Sequence, residues 1–554
     1  MRRDHPANYP FGGCGEEVQA IRFAYQRSPD QDADRPAQHP IVIVGAGPVG
    51  LTLAIDLAQR GQPVLLLDND HRLSIGSRAL CFAKRTLEIW DRLGVGKSMV
   101  NKGVSWNVGK VFFREQQVYQ FDLLPEEGHE RPAFINLQQY YCEAYLVERA
   151  LQLPGIEIRW DNKVTAIATR NDGALLGIDT PEGPYRINAD WVLACDGARS
   201  TLRQLMGLES KGRLFQDRFL IADVKMTADF PTERWFWFDP PFHPNQSVLL
   251  HREPDNVWRI DFQLGWDADP EEEKKPEHII PRVRALLGQD TEFTLEWASV
   301  YTFACLRMDR FVHGRVVFAG DSAHGVSPFG ARGANSGVQD ADNLAWKLDW
   351  LLKGWAGPDL LASYGTERES AADENILNST RATDFITPKS EISRLFRDAT
   401  LDLAREHGFA RRMVNSGRLS VPATLTASSL NTPDVDRFAG RMVPGAPLTD
   451  APVQRADGKV SWLLRETAVD FTLLVFGEVP DWARDLPHVT PVSIGRDLLD
   501  VQGLVRERLD GSPGTAYLIR PDQHVAARWR QACEAVVRAA LATATARSAA
   551  VVIA

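Results

Sequence analysis

The stretch PIVIVGAGPVGLTLAIDLAQRGQPVLLLD, residues 40–68, decides the fold of this chain. It opens with a continuous apolar run, PIVIV, which is typical of a parallel strand buried on both faces. The next segment places Gly50, Leu53, Ala54 and Leu57 at the spacing of one helix face. A second apolar run, PVLLLD, follows. The stretch therefore predicts a strand, a helix and a second strand of a parallel α/β sheet.

The turn between the first strand and the helix, GAGPVG, fits the G-x-G-x-x-G fingerprint of dinucleotide binding. Gly45 allows the tight turn, Gly47 lets a pyrophosphate approach the backbone, and Gly50 lets the helix pack on the sheet. Asp68 ends the second strand about twenty residues later, where a carboxylate can accept hydrogen bonds from ribose hydroxyls. The pattern predicts a bound nucleotide but does not separate FAD from NAD.

Two later strands also end in a turn that contains an aspartate and a glycine. WVLACDG ends in Asp196 and Gly197, and GRVVFAGD ends in Gly320 and Asp321. A carboxylate held at a strand end can accept hydrogen bonds from sugar-like hydroxyls. Taken alone, each turn is also compatible with an ordinary helix cap.

Length and composition limit the class of protein to which the chain can belong. The 554 residues exceed one ordinary core, so two or three domains are expected. The net charge of −10 argues against nucleic acid or an anionic membrane as a partner, and no apolar run reaches the length of a membrane span. The first forty residues lack a signal pattern, and the six cysteines show neither CxxC nor metal-ligand spacing. We therefore expect a cytoplasmic protein with reduced thiols and no bound metal.

The region 218–305 alternates between apolar and polar side chains. Trp258 and Phe262 share one face of a predicted strand, while Arg259 and Gln263 share the other. The pattern predicts an antiparallel sheet with one more polar face.

The order of the three turns along the chain is informative. The Asp-Gly turn follows the fingerprint by about 150 residues, and the Gly-Asp turn follows about 120 residues after that. This order resembles the group A flavoprotein monooxygenases, the aromatic hydroxylases related to p-hydroxybenzoate hydroxylase. The chain looks most similar to the branch with 3-(3-hydroxyphenyl)propionate hydroxylase and phenol hydroxylase, on the segments RVVFAGDSAHGVSPFGARGANSGVQDADNLAWKL, INLQQYYCEAYL and AYLIRPDQHVAARW. The resemblance covers about residues 38–535.

The resemblance implies an α/β fold in three parts. A Rossmann-like FAD-binding domain is interleaved with an antiparallel-sheet substrate domain, and a thioredoxin-like α/β domain follows. That last domain lacks CxxC here, which favours a structural or dimer-contact role over a redox role. The implied boundaries are 1–38 for an N-terminal extension, 39–217 and 306–420 for the discontinuous FAD-binding domain, 218–305 for the substrate-binding sheet, and 421–554 for a linker and the thioredoxin-like domain.

The N-terminal extension is not explained by the resemblance. Its end, QRSPDQDADRPAQHP, is polar and rich in proline. This composition is typical of a flexible lead-in or of a strap on the protein surface.

The resemblance implies FAD on the first fingerprint, with NADH or NADPH as a co-substrate that has no nucleotide-binding domain of its own. It assigns Asp68 to the adenosine ribose, Asp321 to the ribityl chain and Arg78 to the FAD phosphates. The Asp-Gly turn is associated with both FAD and NAD(P)H, and the loop 328–335 is expected to wrap the isoalloxazine edge. The implied cofactor-binding residues are Gly45, Gly47, Gly50, Asp68, Arg78, Gln139, Asp196, Gly197, Gly320, Asp321, Pro328, Gly333, Ala334 and Asn335.

The implied reaction is the hydroxylation of a phenolic ring. NAD(P)H reduces FAD, and the reduced flavin takes up O₂ to give a C4a-hydroperoxide that hydroxylates the ring next to or opposite an existing hydroxyl. The protein must exclude water and place the ring carbon. The ring substituents, among them a carboxylate or a nitro group, stay open, as do the regiochemistry and the choice between NADH and NADPH.

Residues that contact the substrate are less well determined, because this family varies them. Trp235, Trp237 and Arg252 lie in the sheet region that forms the pocket in relatives. The catalytic candidates are Arg259, Gln263, His251, Pro328 and Phe329. Each of these residues can also be read as an ordinary core or surface residue. An arginine on the polar sheet face can hold a carboxylate or nitro group.

Two further residues near the flavin loop are expected to have no catalytic role. His324 is interpreted as structural, and the side chain of Arg332 is expected to face outward.

Three other functions stay open beside hydroxylation. A flavin-dependent halogenase carries a Trp-x-Trp-x-Ile-Pro motif, and WFWFDP resembles it with Asp239 in place of the isoleucine. A flavin oxidase or dehydrogenase without oxygen insertion and a non-catalytic flavin-binding protein are the other two. The expected partners are a small phenolic substrate, O₂ and NAD(P)H, with a homodimer as the expected assembly if one forms.

Overall fold

The computed structural model describes residues 5–227, 230–414 and 419–547. Residues 1–4 of the predicted N-terminal extension and 548–554 of the predicted C-terminal domain lie outside these ranges. The described chain forms two compact units. The first comprises residues within 1–125, 132–341 and 372–421, and the second residues within 126–131, 342–371 and 422–554.

The strands of the first unit build two large sheets and one small sheet. They are β1 (Ala37–Val44), β2 (Val64–Leu67), β3 (Cys81–Ala83), β4 (Val104–Trp106), β5 (Val108–Phe113), β6 (Gln116–Asp122), β7 (Phe134–Asn136), β8 (Ile156–Arg159), β9 (Lys163–Thr169), β10 (Ala174–Asp179), β11 (Tyr185–Ala194), β12 (Ser210–Met226), β13 (Arg234–Phe238), β14 (Ser247–Arg252), β15 (Val257–Leu264), β16 (Phe293–Met308), β17 (Val312–His313), β18 (Val316–Phe318) and β19 (His324–Gly325).

The second unit holds one further sheet, and helices occur in both units. The strands are β20 (Pro452–Arg455), β21 (Val460–Trp462), β22 (Phe471–Phe476), β23 (Val489–Ile494), β24 (Leu498–Leu499), β25 (Ala516–Ile519) and β26 (Val525–Trp529). The helices are α1 (Gly15–Gln19), α2 (Pro48–Gln59), α3 (Lys84–Leu93), α4 (Gly96–Lys102), α5 (Gln139–Leu151), α6 (Thr201–Leu205), α7 (Pro270–Glu273), α8 (Pro276–Leu287), α9 (Gly333–Leu352), α10 (Leu360–Ile386), α11 (Glu391–Ala404), α12 (Gly408–Met413), α13 (Asp481–Arg484), α14 (Leu504–Arg508) and α15 (Glu534–Ala544).

The first large sheet is parallel at its centre, in the order β18-β11-β1-β2-β8. Its strand ends are in register, since Val44 of β1 pairs with Leu67 of β2 and with Ala194 of β11, which pairs with Phe318 of β18. The fingerprint turn, Asp68, the Asp-Gly turn and the Gly-Asp turn each follow one of these four residues. All of them therefore meet at the carboxyl edge of the sheet, where open α/β sheets bind ligands.

The second large sheet runs β19-β16-β12-β15-β14-β13-β5-β6. Its described pairs are antiparallel except β13 with β5, which is parallel. The sheet is wider than the predicted region 218–305, because β12 and β16 extend past both limits and β5 and β6 lie at 108–122. If the sheet contained only the predicted region, β13 would be its edge strand, with unpaired backbone groups along one side. The strand β5, which is distant in sequence, supplies the hydrogen bonds to that side.

The third sheet, in the second unit, has the order β21-β20-β24-β23-β22-β25-β26. Its central strand β22 is buried at all six positions and pairs in parallel with β23 and antiparallel with β25. Apolar side chains of the run FTLLVF therefore cover both faces of this strand. This mixed α/β sheet agrees with the α/β class predicted for the C-terminal part.

The N-terminal extension packs on the first unit as a strap. Phe23 stacks on Trp160 with ring centroids 4.2 Å apart, and its backbone N donates to the carbonyl of His71 at 2.8 Å. The Gln19 side chain accepts a hydrogen bond from the backbone N of Gly76 at 3.1 Å. These contacts hold the loop between β2 and β3. Within QRSPDQDADRPAQHP itself, Asp30 pairs with Arg159 at 2.7 Å and Arg27 pairs with Glu182 at 3.0 Å, so the surface strap is the interpretation that fits this segment.

Across the described ranges, no helix has both the length and the apolar character required to cross a lipid bilayer.

Candidate active site

The three glycines of the fingerprint turn have different surroundings. Gly45 has a φ of 106°, and a Cβ there would lie 2.4 Å from the carbonyl oxygen of Cys195. A Cβ at Gly50 would lie 1.9 Å from the carbonyl oxygen of Gly45. A Cβ at Gly47 would meet nothing within 4 Å. The fold thus requires Gly45 and Gly50, whereas Gly47 faces open space beside the first turn of α2, where backbone N–H groups favour an anion.

Asp68 holds the fingerprint turn and faces a groove beside it. Its carboxylate accepts hydrogen bonds from the backbone N of Ala46 at 2.6 Å and of Asp70 at 2.8 Å. Burial raises the pKa of this carboxyl. The groove has a volume of about 160 Å³, and its lining includes Gly47, Asp68 and Arg78.

Arg78 lies where this groove and a second cavity come together, because it lines both. Its carbonyl accepts a hydrogen bond from Nη1 of Arg259 at 2.9 Å, which holds the loop. Gln139 accepts a hydrogen bond from the backbone N of Ala79 at 3.1 Å and donates to Glu143 at 2.8 Å. Gln139 thus supports the Arg78 loop from behind, and its predicted contact with FAD stays a prediction.

The Asp-Gly turn caps the next helix. The carboxylate of Asp196 accepts a hydrogen bond from the backbone N of Leu202 at 3.0 Å, and burial raises its pKa. Gly197 has a φ of 75°, and a Cβ there would meet nothing within 4 Å. Ser200 is the N-cap of this helix, because its hydroxyl accepts a hydrogen bond from the backbone N of Arg203 at 3.0 Å. The helix-cap interpretation of this segment is therefore correct, while the role of the turn in binding FAD or NAD(P)H stays a prediction.

The Gly-Asp turn packs directly on the fingerprint helix. Gly320 has a φ of 64°, and a Cβ there would lie 2.9 Å from Cγ2 of Val49. Its backbone N donates to Asp340 at 2.9 Å, and Asp340 also pairs with Nε2 of His324 at 2.7 Å. His324 is fully buried in this contact and is structural, as interpreted from the sequence. Asp321 is exposed to solvent on one side. Protein atoms replace water on its other sides, and this partial desolvation raises the pKa of its carboxyl.

The predicted flavin loop forms one wall of the second cavity, which has a volume of about 280 Å³. The lining loop residues include Pro328, Phe329, Arg332, Gly333, Ala334 and Asn335.

Asn335 fixes this loop with its side chain. Its Oδ1 accepts hydrogen bonds from the backbone N of Ala83 at 2.8 Å and from the Thr86 hydroxyl at 2.6 Å. Its Nδ2 donates to the carbonyls of Cys81 at 2.9 Å and Ala331 at 2.6 Å. The side chain is thus used to hold the loop against β3, and contact of Asn335 with FAD stays a prediction.

The position of Arg332 contradicts the prediction that its side chain faces outward. The residue is only 4% exposed and lines the cavity. The left-handed backbone at Gly330 and Ala331, with φ of 104° and 52°, turns the chain just before Arg332 and directs it inward.

The opposite wall of the cavity is the face of the second large sheet. Among the described residues, four arginines line the cavity, together with a single carboxylate, Asp261. The arginines are Arg78, Arg234, Arg259 and Arg332, and the neutral lining includes Leu249, His251, Tyr301 and Phe303.

Arg259 is held by the protein. Its Nη2 and Nε donate to Oδ1 of Asp261 at 2.8 and 3.0 Å, and Nη1 donates to Ser77 at 3.3 Å. These contacts, with the bond to the Arg78 carbonyl, occupy most of its donors. Behind it, burial raises the pKa of Asp223 to about 7, and the Ser77 hydroxyl donates to that carboxyl at 3.1 Å.

His251 lines the cavity beside this ion pair. Burial, reinforced by the charges of Arg234 and Arg259, lowers its pKa well below the ordinary value. Its Nε2 lies 3.8 Å from Oδ2 of Asp261, while its buried Nδ1 has no hydrogen-bond partner among the described residues. The imidazole is therefore neutral near pH 7, with Nε2 next to a carboxylate.

Four residues expected near the substrate lie elsewhere. Gln263 accepts a hydrogen bond from the backbone N of Ser247 at 3.0 Å and is outside the cavity lining. Trp237 packs in the hydrophobic cluster on the other face of the sheet, and Trp235 packs against that cluster. Arg252 also lies outside the lining and its guanidinium stands 5.7 Å from the ring centroid of Trp258. The prediction placed Gln263 on the correct face of β15, but the cavity ends at Asp261.

The sequence interpretation missed Arg234. It begins β13, is 7% exposed and lines the cavity, whereas its neighbour Trp235 points to the other face. The alternation in RWFWF (234–238) carried the signal, because an arginine that starts an apolar strand shares its face with Phe236.

These observations fit an FAD along the carboxyl edge of the parallel sheet. The open space at Gly47 suits a pyrophosphate, and Asp68 and Asp321 offer carboxylates for ribose and ribityl hydroxyls. Arg78, which lines both spaces, is suited to the phosphates.

Comparisons with known proteins agree with this fit. The family model described as FAD binding domain matches residues 38–379. The 3-(3-hydroxy-phenyl)propionate/3-hydroxycinnamic acid hydroxylase of Mycolicibacterium smegmatis is 27% identical over 371 residues, which cover 66% of this chain and 64% of that protein. The 6-methylpretetramide 4-monooxygenase of Streptomyces rimosus is 30% identical over 526 residues, which cover 90% of this chain and 91% of that protein. The chain thus spans slightly less than two thirds of the first relative's length.

A solved structure shares the fold. The ternary complex of aklavinone-11 hydroxylase with FAD and aklavinone matches with a TM-score of 0.76 at 22% identity, covering 93% of this chain and 100% of that chain. The predicted α/β fold class is confirmed.

Proposed function

The chain belongs to the FAD binding domain family and is a flavin-dependent aromatic monooxygenase, and from that premise we propose that it hydroxylates a phenolic ring. FAD is its cofactor and NAD(P)H its co-substrate. The observation that carries the proposal is the second cavity. There the loop 326–335 faces a sheet wall that carries a neutral histidine next to a carboxylate.

The residues that would hold FAD lie along the carboxyl edge of the parallel sheet. Gly47 and the start of α2 would take the pyrophosphate, Asp68 the ribose, and Asp321 the ribityl chain. Arg78 would neutralise phosphate charge, since its side chain borders both the groove and the cavity. Bound FAD supplies electron transfer from NAD(P)H and the activation of O₂ for insertion of one oxygen atom into the ring.

His251 is the proposed base. A phenol becomes a better nucleophile as its proton leaves, and a neutral imidazole within the cavity can accept that proton. Nδ1 is buried and cannot be reached from the cavity, so Nε2 is the nitrogen we assign to this role. Asp261, 3.8 Å from Nε2, would stabilise the imidazolium that forms. The low pKa of His251 leaves the imidazole unprotonated at neutral pH, so that it can accept a hydrogen bond or a proton from the phenol.

Aromatic and aliphatic side chains of the cavity would exclude water and position the ring. Phe329 packs edge-on against Phe219 and Phe303, with centroids 4.8 and 5.5 Å apart, so its ring is fixed. Leu249 and Tyr301 complete the apolar lining. Exclusion of water favours oxygen transfer over loss of the activated oxygen as H₂O₂.

The relatives support a phenolic substrate class. By their names, they act on hydroxyphenylpropionate or hydroxycinnamic acid and on 6-methylpretetramide. A nitro or carboxyl substituent on the ring of this enzyme's substrate, assembly as a homodimer and the predicted domain boundaries stay predictions.

The test is coupled turnover by the FAD-loaded protein. A panel of phenols with neutral, carboxyl and nitro substituents is mixed with NADH or NADPH, and we expect substrate-stimulated nucleotide oxidation, stoichiometric O₂ uptake and a product heavier by one oxygen atom. Formation of H₂O₂ alone across the panel would instead identify an oxidase, and incorporation of chloride or bromide would identify a halogenase.

A further inference from the structure

Arg234 is a buried arginine that the proposed mechanism does not use. It is 7% exposed, starts β13 and lines the cavity wall opposite the loop 326–335. Among the described residues, nothing forms a hydrogen bond or an ion pair with its guanidinium, and burial lowers its pKa. Arg259, on the same wall, is instead held by Asp261 at 2.8 Å.

The groups around Arg234 leave its charge uncompensated. Within the part of the chain that the structure describes, Asp261 is the single carboxylate of the cavity lining, and it is already bound to Arg259. Burial raises the pKa of the neighbouring Cys81 to about 11 and also raises the pKa of Tyr301, so both stay neutral. His251 is neutral as well. A buried charge without a partner is strongly disfavoured, so this cavity is complementary to a negative group.

The space next to Arg234 is largely apolar. A small chamber beyond the cavity shares Arg234 and Phe329, and its other lining includes Phe236, Ile386 and Leu419. Lys110 also lines this chamber but is paired with Glu233 at 2.8 Å, so among the described residues Arg234 is the lining cation that an entering anion finds without a partner. The planar guanidinium, with its fork of N–H donors, suits the two oxygens of a carboxylate or a single phenolate oxygen.

We propose that Arg234 binds an anionic oxygen of the aromatic substrate and thereby selects charged phenols over neutral ones. The inference rests on the proposed function for the identity of the ligand as a phenol. The anionic oxygen has two sources, a carboxylate substituent or the ionised phenol itself. Arg259, which the sequence favoured for this role, instead shapes the wall by holding Asp261 and the Arg78 loop.

The test measures binding without turnover. The oxidised, FAD-loaded protein is titrated with 3-hydroxybenzoate and its neutral isostere 3-hydroxybenzamide, and with 4-nitrophenol above and below the pKa of that ligand. Dissociation constants are read from the change in flavin absorption and by calorimetry. For the wild type we expect an anionic form to bind about 30-fold or more tightly than its neutral partner, as an order of magnitude for a charge-assisted pair in a dry site.

Variants locate the preference. In Arg234→Met we expect the preference to fall to within about threefold, while Arg234→Lys keeps part of it because it keeps the charge. The matched control is Arg213→Met, since Arg213 lies on β12 of the same sheet, is exposed and pairs with Asp384 at 3.0 Å outside the cavity. The control is expected to retain the full preference.

Thermal midpoints and FAD content separate loss of folding from loss of recognition. Without ligand, Arg234→Met is expected to melt no lower than the wild type, because it removes an unpaired buried charge, and the anionic ligand should raise the midpoint of the wild type and of Arg213→Met but not that of Arg234→Met. A preference in the carboxylate pair alone identifies a carboxylated substrate, and one in nitrophenol alone identifies a bound phenolate.

Equal binding of charged and neutral forms by the wild type would overturn the inference, and so would an undiminished preference in Arg234→Met. If the anion binds as expected but no product gains oxygen, the proposed function fails while the assignment of Arg234 stands.

Discussion

The fingerprint turn at 45–50 and the sheet wall of the cavity are held by different forces. In the turn, the neighbours are backbone atoms, as the carbonyl oxygen of Gly45 stands 1.9 Å from the position of a Cβ at Gly50. In the wall, the neighbours are side chains from distant strands, and the pairing of Arg259 with Asp261 leaves Arg234 without a partner among the described residues. The turn therefore tolerates almost no change in shape, while the wall is sensitive to changes in charge.

The largest expected effect tests the turn. Gly50→Ala places a methyl group against the carbonyl of Gly45, and backbone cannot move away cheaply, so we expect a loss of about 4 kcal/mol or more in the free energy of unfolding. Denaturant unfolding and the yield of FAD-loaded protein are the measurements.

The matched control for that variant is Gly47→Ala. Its Cβ meets nothing within 4 Å, so the fold is expected to persist while FAD content falls, because the methyl group occupies the space of the phosphates. If Gly50→Ala proved as stable as Gly47→Ala, the turn would not be controlled by backbone contact.

The second effect tests the wall. His251→Gln removes the proposed base from a site beside Asp261, and general-base catalysis contributes about 100-fold or more to a rate. We expect kcat for hydroxylation to fall by about that factor, with FAD content preserved and with the largest loss for the least acidic phenols, which need the base most. Reduction of the flavin by NAD(P)H, followed separately in a stopped-flow instrument, is expected to change little. An unchanged kcat with every phenol would exclude His251 as the base.

The same contrast explains what the sequence predicted. The strand–turn–helix unit and Asp68 were identified because each signal is local, a run of apolar residues or a glycine that meets nearby backbone. The cavity wall was identified only in part, since Trp235 and Trp237 were assigned to the pocket although they pack on the far face of β13. When both faces of a strand are buried, alternation shows which residues share a face but not which face meets the cavity.

Charge pairing was likewise hidden from the sequence. Arg234 on β13 and Arg259 on β15 have the same side chain and belong to the same sheet. Only the contact of Arg259 with Asp261 in the folded protein distinguishes them. The pairing of β13 with β5 joins residues more than 100 positions apart, which no local pattern indicates. The width of the second sheet was therefore underestimated for the same reason.

A third effect concerns the acid behind the wall. Burial raises the pKa of Asp223 to about 7, from an ordinary value of 3.8, next to Arg259, Asp261 and Glu253. The folded state thus binds the proton more tightly than the unfolded chain, so this contribution to stability is complete below pH 4 and is lost as the pH rises through 7. Between pH 4 and pH 7 the wild type loses this contribution whereas Asp223→Asn cannot, so the melting temperature of Asp223→Asn relative to the wild type is expected to be several degrees higher at pH 8 than at pH 5. A constant difference across this range would show that Asp223 does not titrate there.

The smallest effect marks where the wall of the cavity ends. Gln263 shares a face of β15 with Arg259 and Asp261, yet its Oε1 accepts a hydrogen bond from the backbone N of Ser247 at 3.0 Å and the cavity does not reach it. Gln263→Leu removes that acceptor from a buried N–H, which costs about 1–2 kcal/mol of stability, while kcat/KM is expected to change by less than about twofold. Thermal unfolding and steady-state kinetics on the same preparation separate the two. A fall in kcat/KM comparable to that of His251→Gln would show that Gln263 contacts the substrate, and that the cavity wall continues along β15 past Asp261. This variant therefore separates residues that only stabilise the sheet from residues that contact the substrate.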